Sequence, residues 1–196
     1  TRGAGSTPVI SVFVGGNEIA RFRDGGASDR DIDVNDQVNA NGFDIAEWMP
    51  GADDVEPGDV VSIDTTANER LVKTTAAYDS AVAGVVSTDP AFTMGNPSFG
   101  DAHPPSDRLL ALAGRVPVKV TDEGGPIARG DLLVPSSTPG YAMKLVLLDI
   151  STATTLEELM SMLKENERRK RSVIGKALGE HAEGKGVIVC LLLLGT

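Results

Sequence analysis

Apolar positions along this chain alternate with polar ones over short runs, and they recur at helical spacing in one place only. Val9-Ile10-Ser11-Val12-Phe13-Val14 is β-branched and aromatic, Gly15-Gly16-Asn17 is turn chemistry, and Glu18-Ile19-Ala20-Arg21-Phe22-Arg23 alternates, so residues 8–23 predict a hairpin. Beyond the break at residues 24–28, Asp29-Arg30-Asp31-Ile32-Asp33-Val34-Asn35 alternates again with its acids on one face. A hairpin this short cannot hold itself and needs a partner surface. Residues 1–40 therefore read as a β stalk or connector, and 41–196 as a separate β-rich domain. Within that domain, Asp59-Val60-Val61-Ser62-Ile63, Arg70-Leu71-Val72-Lys73, Ala81-Val82-Ala83-Gly84-Val85-Val86-Ser87 and Asp131-Leu132-Leu133-Val134 are short strands set between Gly and Pro turns. Gly84 inside its strand predicts a bulge or a close backbone approach. Residues 109–120 form one bent strand or two, with Pro117 confined to an edge or bulge. Residues 172–178 and 187–194 close the chain as strands. Strand runs about ten residues apart predict an all-β fold, a sandwich or a barrel.

The exception is a helix near residues 154–170. Thr154 and Glu157 have capping-box spacing, and Leu156, Leu159, Met160 and Leu163 form an apolar stripe two turns long. Residues 164–171 then carry five basic residues against two acidic, where cations suit the helix C-terminus. That basic end reads either as a solvated helix end or as a docking site for an acidic neighbour.

The chain has 196 residues and a net charge of −10, with aromatics at only 4%. The acid is concentrated: residues 24–64 hold twelve acidic residues and one basic, Arg30. A nucleic-acid partner or an anionic membrane surface would need clustered Lys and Arg, so neither is expected. The longest apolar run, residues 187–194, is too short to span a bilayer. A single cysteine, Cys190, excludes an internal disulfide and sits in an apolar run that suits an inert core thiol. The start at Thr1-Arg2-Gly3, without Met, reads as a piece of a longer protein.

Chemistry is sparse. Asp29, Asp31 and Asp33 begin like a calcium loop, but Val34 and Ala40 stand where that loop needs Gly and Glu, so no metal is expected. His103 and His181 have no ligand-spaced partner and read as exposed loop residues. No P-loop, GxGxxG or GxSxG occurs, and no cofactor is expected. One segment stands out, Asn41-Gly42-Phe43-Asp44-Ile45-Ala46-Glu47-Trp48-Met49-Pro50, which joins the stalk to the domain. Its Asp44 and Glu47 can serve as general acid and base where their surroundings separate their pKa values, and Trp48 supplies apolar surface for that. Otherwise Asp44 caps a turn and Glu47 is solvated. On a strand the two would face opposite ways, and on a helical turn they would share a face.

The segment Asp44-Ile-Ala-Glu47-Trp48, followed by Glu56-Pro57-Gly58-Asp59-Val60-Val61, Val82-Ala83-Gly84-Val85-Val86-Ser87, Leu112-Ala113-Gly114-Arg115-Val116, Gly130-Asp131-Leu132-Leu133, Pro139-Gly140-Tyr141-Ala142-Met143-Lys144 and Val173-Ile174-Gly175-Lys176-Ala177-Leu178, resembles the C-terminal domain of phage appendage and tail-fibre proteins of the peptidase G2, intramolecular-chaperone type. The resemblance runs over about residues 38–194, with 145–171 as an insertion. It implies a domain that helps a β stalk trimerise within a longer fibre protein, located in the virion or on the surface of a phage-derived particle. In self-cleaving members it further implies Asp44 and Glu47 as the catalytic acids and Phe43-Asp44 as the scissile bond. Phe43 is bulky where that pattern has a small residue. A receptor- or glycan-binding tip is the remaining alternative, and one Trp with two Tyr offer little stacking surface for it.

Overall fold

A computed structural model describes residues 8–14, 16–23, 32–34, 40–95 and 102–193. The chain divides into two compact units, Thr1–Asn41 and Gly42–Thr196.

In the first unit, β1 (Pro8–Val14), β2 (Asn17–Arg23) and β3 (Ile32–Val34) form a three-stranded antiparallel sheet in chain order. The expected hairpin is there, with Val12 opposite Ala20 and Ala20 opposite Val34. Of the alternating acidic run, residues 32–34 form the third strand; Asp29 and Asp31 lie outside the described residues.

The second unit is built around β9 (Asp107–Thr121), a 15-residue strand that serves two sheets. Its C-terminal half pairs with β13 (Lys185–Leu192), which continues to β12 (Gly175–Ala177), β10 (Leu132–Pro135) and β11 (Ala142–Lys144). β11 returns to β9 through Ala142 and Val120, so the five strands close into a barrel. Closure removes the exposed edges of a sheet. Alternate residues Val116, Val118 and Val120 of β9 meet Leu133, Ile174, Ile188 and Cys190 in the barrel core. Pro117 falls between the end of the β9 ladder with β4 at Gly114 and the contact at Val120, where β9 has a ladder on the β13 side alone. That is the local edge a strand proline requires.

The N-terminal half of β9 leaves the barrel and pairs with β4 (Asp44–Pro50), which in turn pairs with β8 (Phe92–Met94). A third sheet, β6 (Leu71–Lys73), β5 (Val60–Ile63) and β7 (Val82–Val85), packs nearby. Val60 and Val61 are neighbours on β5 and so point to opposite faces; Val60 joins the barrel core and Val61 a second cluster with Val55, Leu71, Val86 and Leu110. Gly84 lies at a register shift opposite Val61, as its place in the strand predicted.

The helix α1 spans Leu156–Lys170. Its cap sits one residue later than the sequence spacing suggested: the Thr155 hydroxyl accepts from the Glu158 amide, and the Glu158 carboxylate takes the amide and hydroxyl of Thr154. Polar groups hold the helix to neighbouring loops of the domain. The Asn166 amide both donates to and accepts from the Leu148 backbone, and the Arg169 guanidinium donates to the Val146 carbonyl and stacks on the Tyr78 ring. Arg168 donates to the Tyr78 carbonyl. Two residues of the basic helix end, Arg168 and Arg169, thus clamp the helix within the chain, while Lys164, Arg168, Lys170 and Arg171 are exposed. No helix among the described residues is long and apolar enough to cross a membrane.

Candidate functional site

The segment singled out by sequence is strand β4, where sequence reasoning had placed a joining segment. Its first residue, Asp44, points inward and is 4% exposed; Ile45 points out, Ala46 is fully buried, and Glu47 turns to the other face, half-buried. Asp44 and Glu47 are three residues apart on an extended strand, so one chain does not bring the two carboxylates together.

The backbone around the Phe43-Asp44 bond is tightly held. The Phe43 carbonyl accepts from the Arg115 amide at 3.0 Å, and the Asp44 carbonyl from the Ala91 amide at 2.7 Å. Gly114, at φ +117°, lies against this bond: a Cβ there would overlap the Phe43 carbonyl and the Asp44 Cα. The glycine thus lets β9 bend out of the barrel and lie flat on the start of β4. The Arg115 guanidinium stands 4.8 Å from the exposed Phe43 ring. A shallow depression of about 320 Å³ opens over Gly42, Phe43, Asp44, Phe92 and Gly114.

Asp44 is the electrostatically unusual group. Burial pushes its carboxyl above the ordinary carboxylate range; the Ser87 hydroxyl nearby offsets part of that, and the charge of Asp89 adds to it. Among the described residues, neither Asp44 Oδ2 nor Ser87 Oγ has a hydrogen-bond partner, so the relief from Ser87 is incomplete. A buried, poorly partnered carboxyl that gives up its proton less readily than an exposed one is a candidate general acid.

Two features escaped sequence reasoning. The Glu56-Pro57-Gly58-Asp59 turn delivers a buried carboxylate: Asp59 receives Lys119 Nζ at 2.7 Å, Lys73 Nζ at 3.2 Å and the Glu56 amide at 2.8 Å. The pattern showed a turn there, and the lysines that meet it stand 14 and 60 positions further on. His103, expected as an exposed loop residue, stacks on Trp48 at 3.8 Å between ring centroids and approaches Asp107 at 3.6 Å. The Trp48 surface is therefore given to His103 while Asp44 lies at the far end of the strand. The His181 Nε2–H donates to the Gly184 carbonyl, 2.9 Å away, within its own turn. Cys190 is a buried core thiol that burial pushes up to about 12, as expected of an inert cysteine. Among the described residues no group of three or more His, Cys, Asp or Glu could hold a metal ion.

Barrel, out-bent strand and buried strand-initial acid define an all-β barrel domain with an appended sheet. No protein-family model matches the sequence, and no curated protein matches it. Among solved structures, the fold is similar to that of the pre-mature gene product 12 of bacteriophage phi29, with a TM-score of 0.53 and 14% identity over 90% of this chain. The chain spans about a quarter of the length of that protein, 24%.

Proposed function

We propose that this chain is the assembly domain of a phage tail-fibre or appendage protein, an intramolecular chaperone of the peptidase G2 type that brings three copies together through the strands preceding the barrel. The observation that carries this reading lies in the first unit. Val12 and Phe13 lie at a register shift on β1, opposite Ala20 and Glu18 of one face of β2, and they are 41% and 59% exposed. Val34 joins Val12 on one face, and Ile19 is exposed on the other. Apolar side chains bare on both faces of a small sheet, as among the described residues here, are surface that other chains can cover. The similarity of the barrel fold to a phage protein, and the sequence resemblance, supply the setting: a part of a longer fibre protein in the virion. Light scattering at micromolar concentration tests it. The expected mass is about 61 kDa, three times the 20.4 kDa of one chain. A monomer at that concentration overturns the reading, and Phe13→Asp should give a monomer with the barrel's circular dichroism unchanged.

A second reading is favoured by Asp44, whose raised pKa and orphan Oδ2 suit a general acid. In one turnover, Glu47 of another copy takes a proton from water, which adds to the Phe43 carbonyl carbon. The carbon–nitrogen bond breaks and the Asp44 carboxyl protonates the leaving amine. The products are a chain ending in the Phe43 carboxylate and a fragment beginning at Asp44. Intact mass after days of incubation tests it: a fragment starting at Asp44, absent in Glu47→Gln, supports cleavage, and an unchanged full-length mass rejects it.

A further inference from the structure

Helix α1 has more apolar surface than its own domain uses. Leu159, Met162, Asn166 and Arg169 turn toward the domain and are partly or fully buried. Leu156, Met160 and Leu163 lie within an arc of about 60° on another side, at i, i+4 and i+7. They are 72%, 52% and 44% exposed. Such spacing is the seam of a helix pair.

The charges beside this seam differ from the rest of the helix. Glu158 is used in the cap, Glu165 pairs with Arg168 and Arg169, and Glu167 pairs with Lys170 at 2.8 Å. Glu157 and Lys164, which flank the apolar stripe on one side, have no ion pair among the described residues. They stand seven positions apart, about 10 Å along the axis, too far to reach each other. Two copies of α1 laid parallel would set Glu157 level with Glu157 and Lys164 level with Lys164. Reversing one copy about Met160 brings Leu156 over the partner copy's Leu163 and sets Glu157 within about 3 Å, along the axis, of Lys164 on the other chain. The stripe is self-complementary only in the antiparallel sense.

We propose that α1 is a docking surface for a second copy of this chain, with the two helices antiparallel about a twofold axis at Met160, their Leu156-Met160-Leu163 stripes in contact and Glu157 paired with Lys164 across the seam. This contact is separate from the strands of the first unit. Its two-turn seam is far below the roughly 800 Å² per partner of a stable complex. It therefore joins assemblies that are already multivalent.

Cysteine cross-linking of the full chain reads the geometry directly. Packed helices lie roughly 8–10 Å apart, which leaves facing Cα atoms about 3.5–5.5 Å from each other, a span that overlaps disulfide reach. The native Cys190 is buried and does not compete. Met160→Cys should form a disulfide-linked pair under mild oxidation. Leu156→Cys and Leu163→Cys should each fail to link with themselves, yet link to each other when the two variants are mixed. Lys164→Glu should lower Met160→Cys cross-linking several-fold, and adding Glu157→Lys should restore it. Self-linking of Leu156→Cys and Leu163→Cys as fast as Met160→Cys would mean parallel helices and overturn the proposal, as would no cross-link at Met160→Cys. In the Phe13→Asp background the strand-mediated trimer should be lost and the Met160→Cys link should form more slowly, with the same pattern of self-linking and mixed linking, which separates failure of one contact from failure of the other.

Discussion

Replacing Asp44 by Asn asks what the buried carboxyl costs the fold. Asn keeps the shape, carries no charge, and offers an amide to the unpartnered Ser87 hydroxyl. The sign follows from the direction of the shift. A carboxyl whose folded pKa is raised contributes stability that is present below its unfolded value of 3.8 and is lost as pH rises through the folded value. At pH 7 the parent chain therefore carries a penalty that the Asn variant lacks. An unsatisfied buried polar group costs about 1–3 kcal/mol, and the partial relief from Ser87 puts the expected gain at the lower end, about 1–2 kcal/mol. For a domain of this size that raises Tm by roughly 2–8 °C. Thermal melts of both proteins from pH 4 to 8 make the test. The expected result is an Asp44→Asn advantage that is small at pH 4 and grows to a plateau. An Asp44→Asn protein less stable than the parent at pH 7 would refute the reasoning, since it would mean that the carboxylate is held by favourable partners. A cost borne at one buried acid, beside a bond held by two backbone hydrogen bonds, is what a functional group in an otherwise satisfied fold looks like.

The buried cluster at Asp59 should behave in the opposite way. Asp59→Ala strands Lys119 and Lys73 and should cost about 3–5 kcal/mol in urea unfolding. Although burial lowers the Lys119 pKa, its hydrogen bonds to Asp59 and Glu56 outweigh this and raise it, so the associated stability should persist up to about 10.5 and be lost at higher pH; a melt unchanged to pH 12 would contradict it. On α1, hydrogen bonds from Arg168 and Arg169 lower Glu165 to about 2. Its stabilisation, discounted to about 1 kcal/mol for a pair near the surface, should be complete above 4.5 and vanish toward pH 2, and Glu165→Gln should remove that acid dependence.

Local pattern revealed most of the strands and helix α1, because β-branched runs between Gly and Pro turns, and an apolar stripe at helical spacing, carry their own signal. β4, β8 and β11 were illegible for a physical reason. Phe92, Thr93 and Met94 are all exposed on a three-residue edge strand, and Ala142-Met143-Lys144 is equally short, so neither shows an alternation. β4 is half-buried over its second half, and its polar Asp44 occupies an inward position. Barrel closure rests on one contact, Ala142 with Val120, between residues 22 apart, which no local window contains. The Asp44–Glu47 motif itself was legible. The division of the pair was conditional on the strand, and the β4–β9 ladder supplies that condition. The capping box was legible to within one residue, since Thr154 and Thr155 offer the same chemistry and only the backbone chooses between them.

The division of Asp44 and Glu47 across β4 makes cleavage, if it is this domain's chemistry, a property of the assembly. The Phe43 carbonyl is held by the Arg115 amide and the leaving amine belongs to Asp44, so acid and scissile bond sit in one chain. A base positioned to activate water must then come from elsewhere, and symmetry offers the same Glu47 on a neighbouring copy. Two inactive variants distinguish the cases. Asp44→Asn lacks the acid and Glu47→Gln lacks the base, so neither alone should release a fragment. Unfolded together and co-assembled into the proposed trimer, the two variants would combine Asp44 of one chain with Glu47 of another, and the Glu47→Gln chain should then be cut before its Asp44. Tagging the two variants differently shows by mass which chain was cut. Cutting in the Glu47→Gln chain alone, at a rate that falls when Phe13→Asp removes the trimer, is the signature of a site shared between copies. A Glu47→Gln homotrimer that cleaves as fast as the parent would show that Glu47 is not the base, and the strand would then be structural on that face.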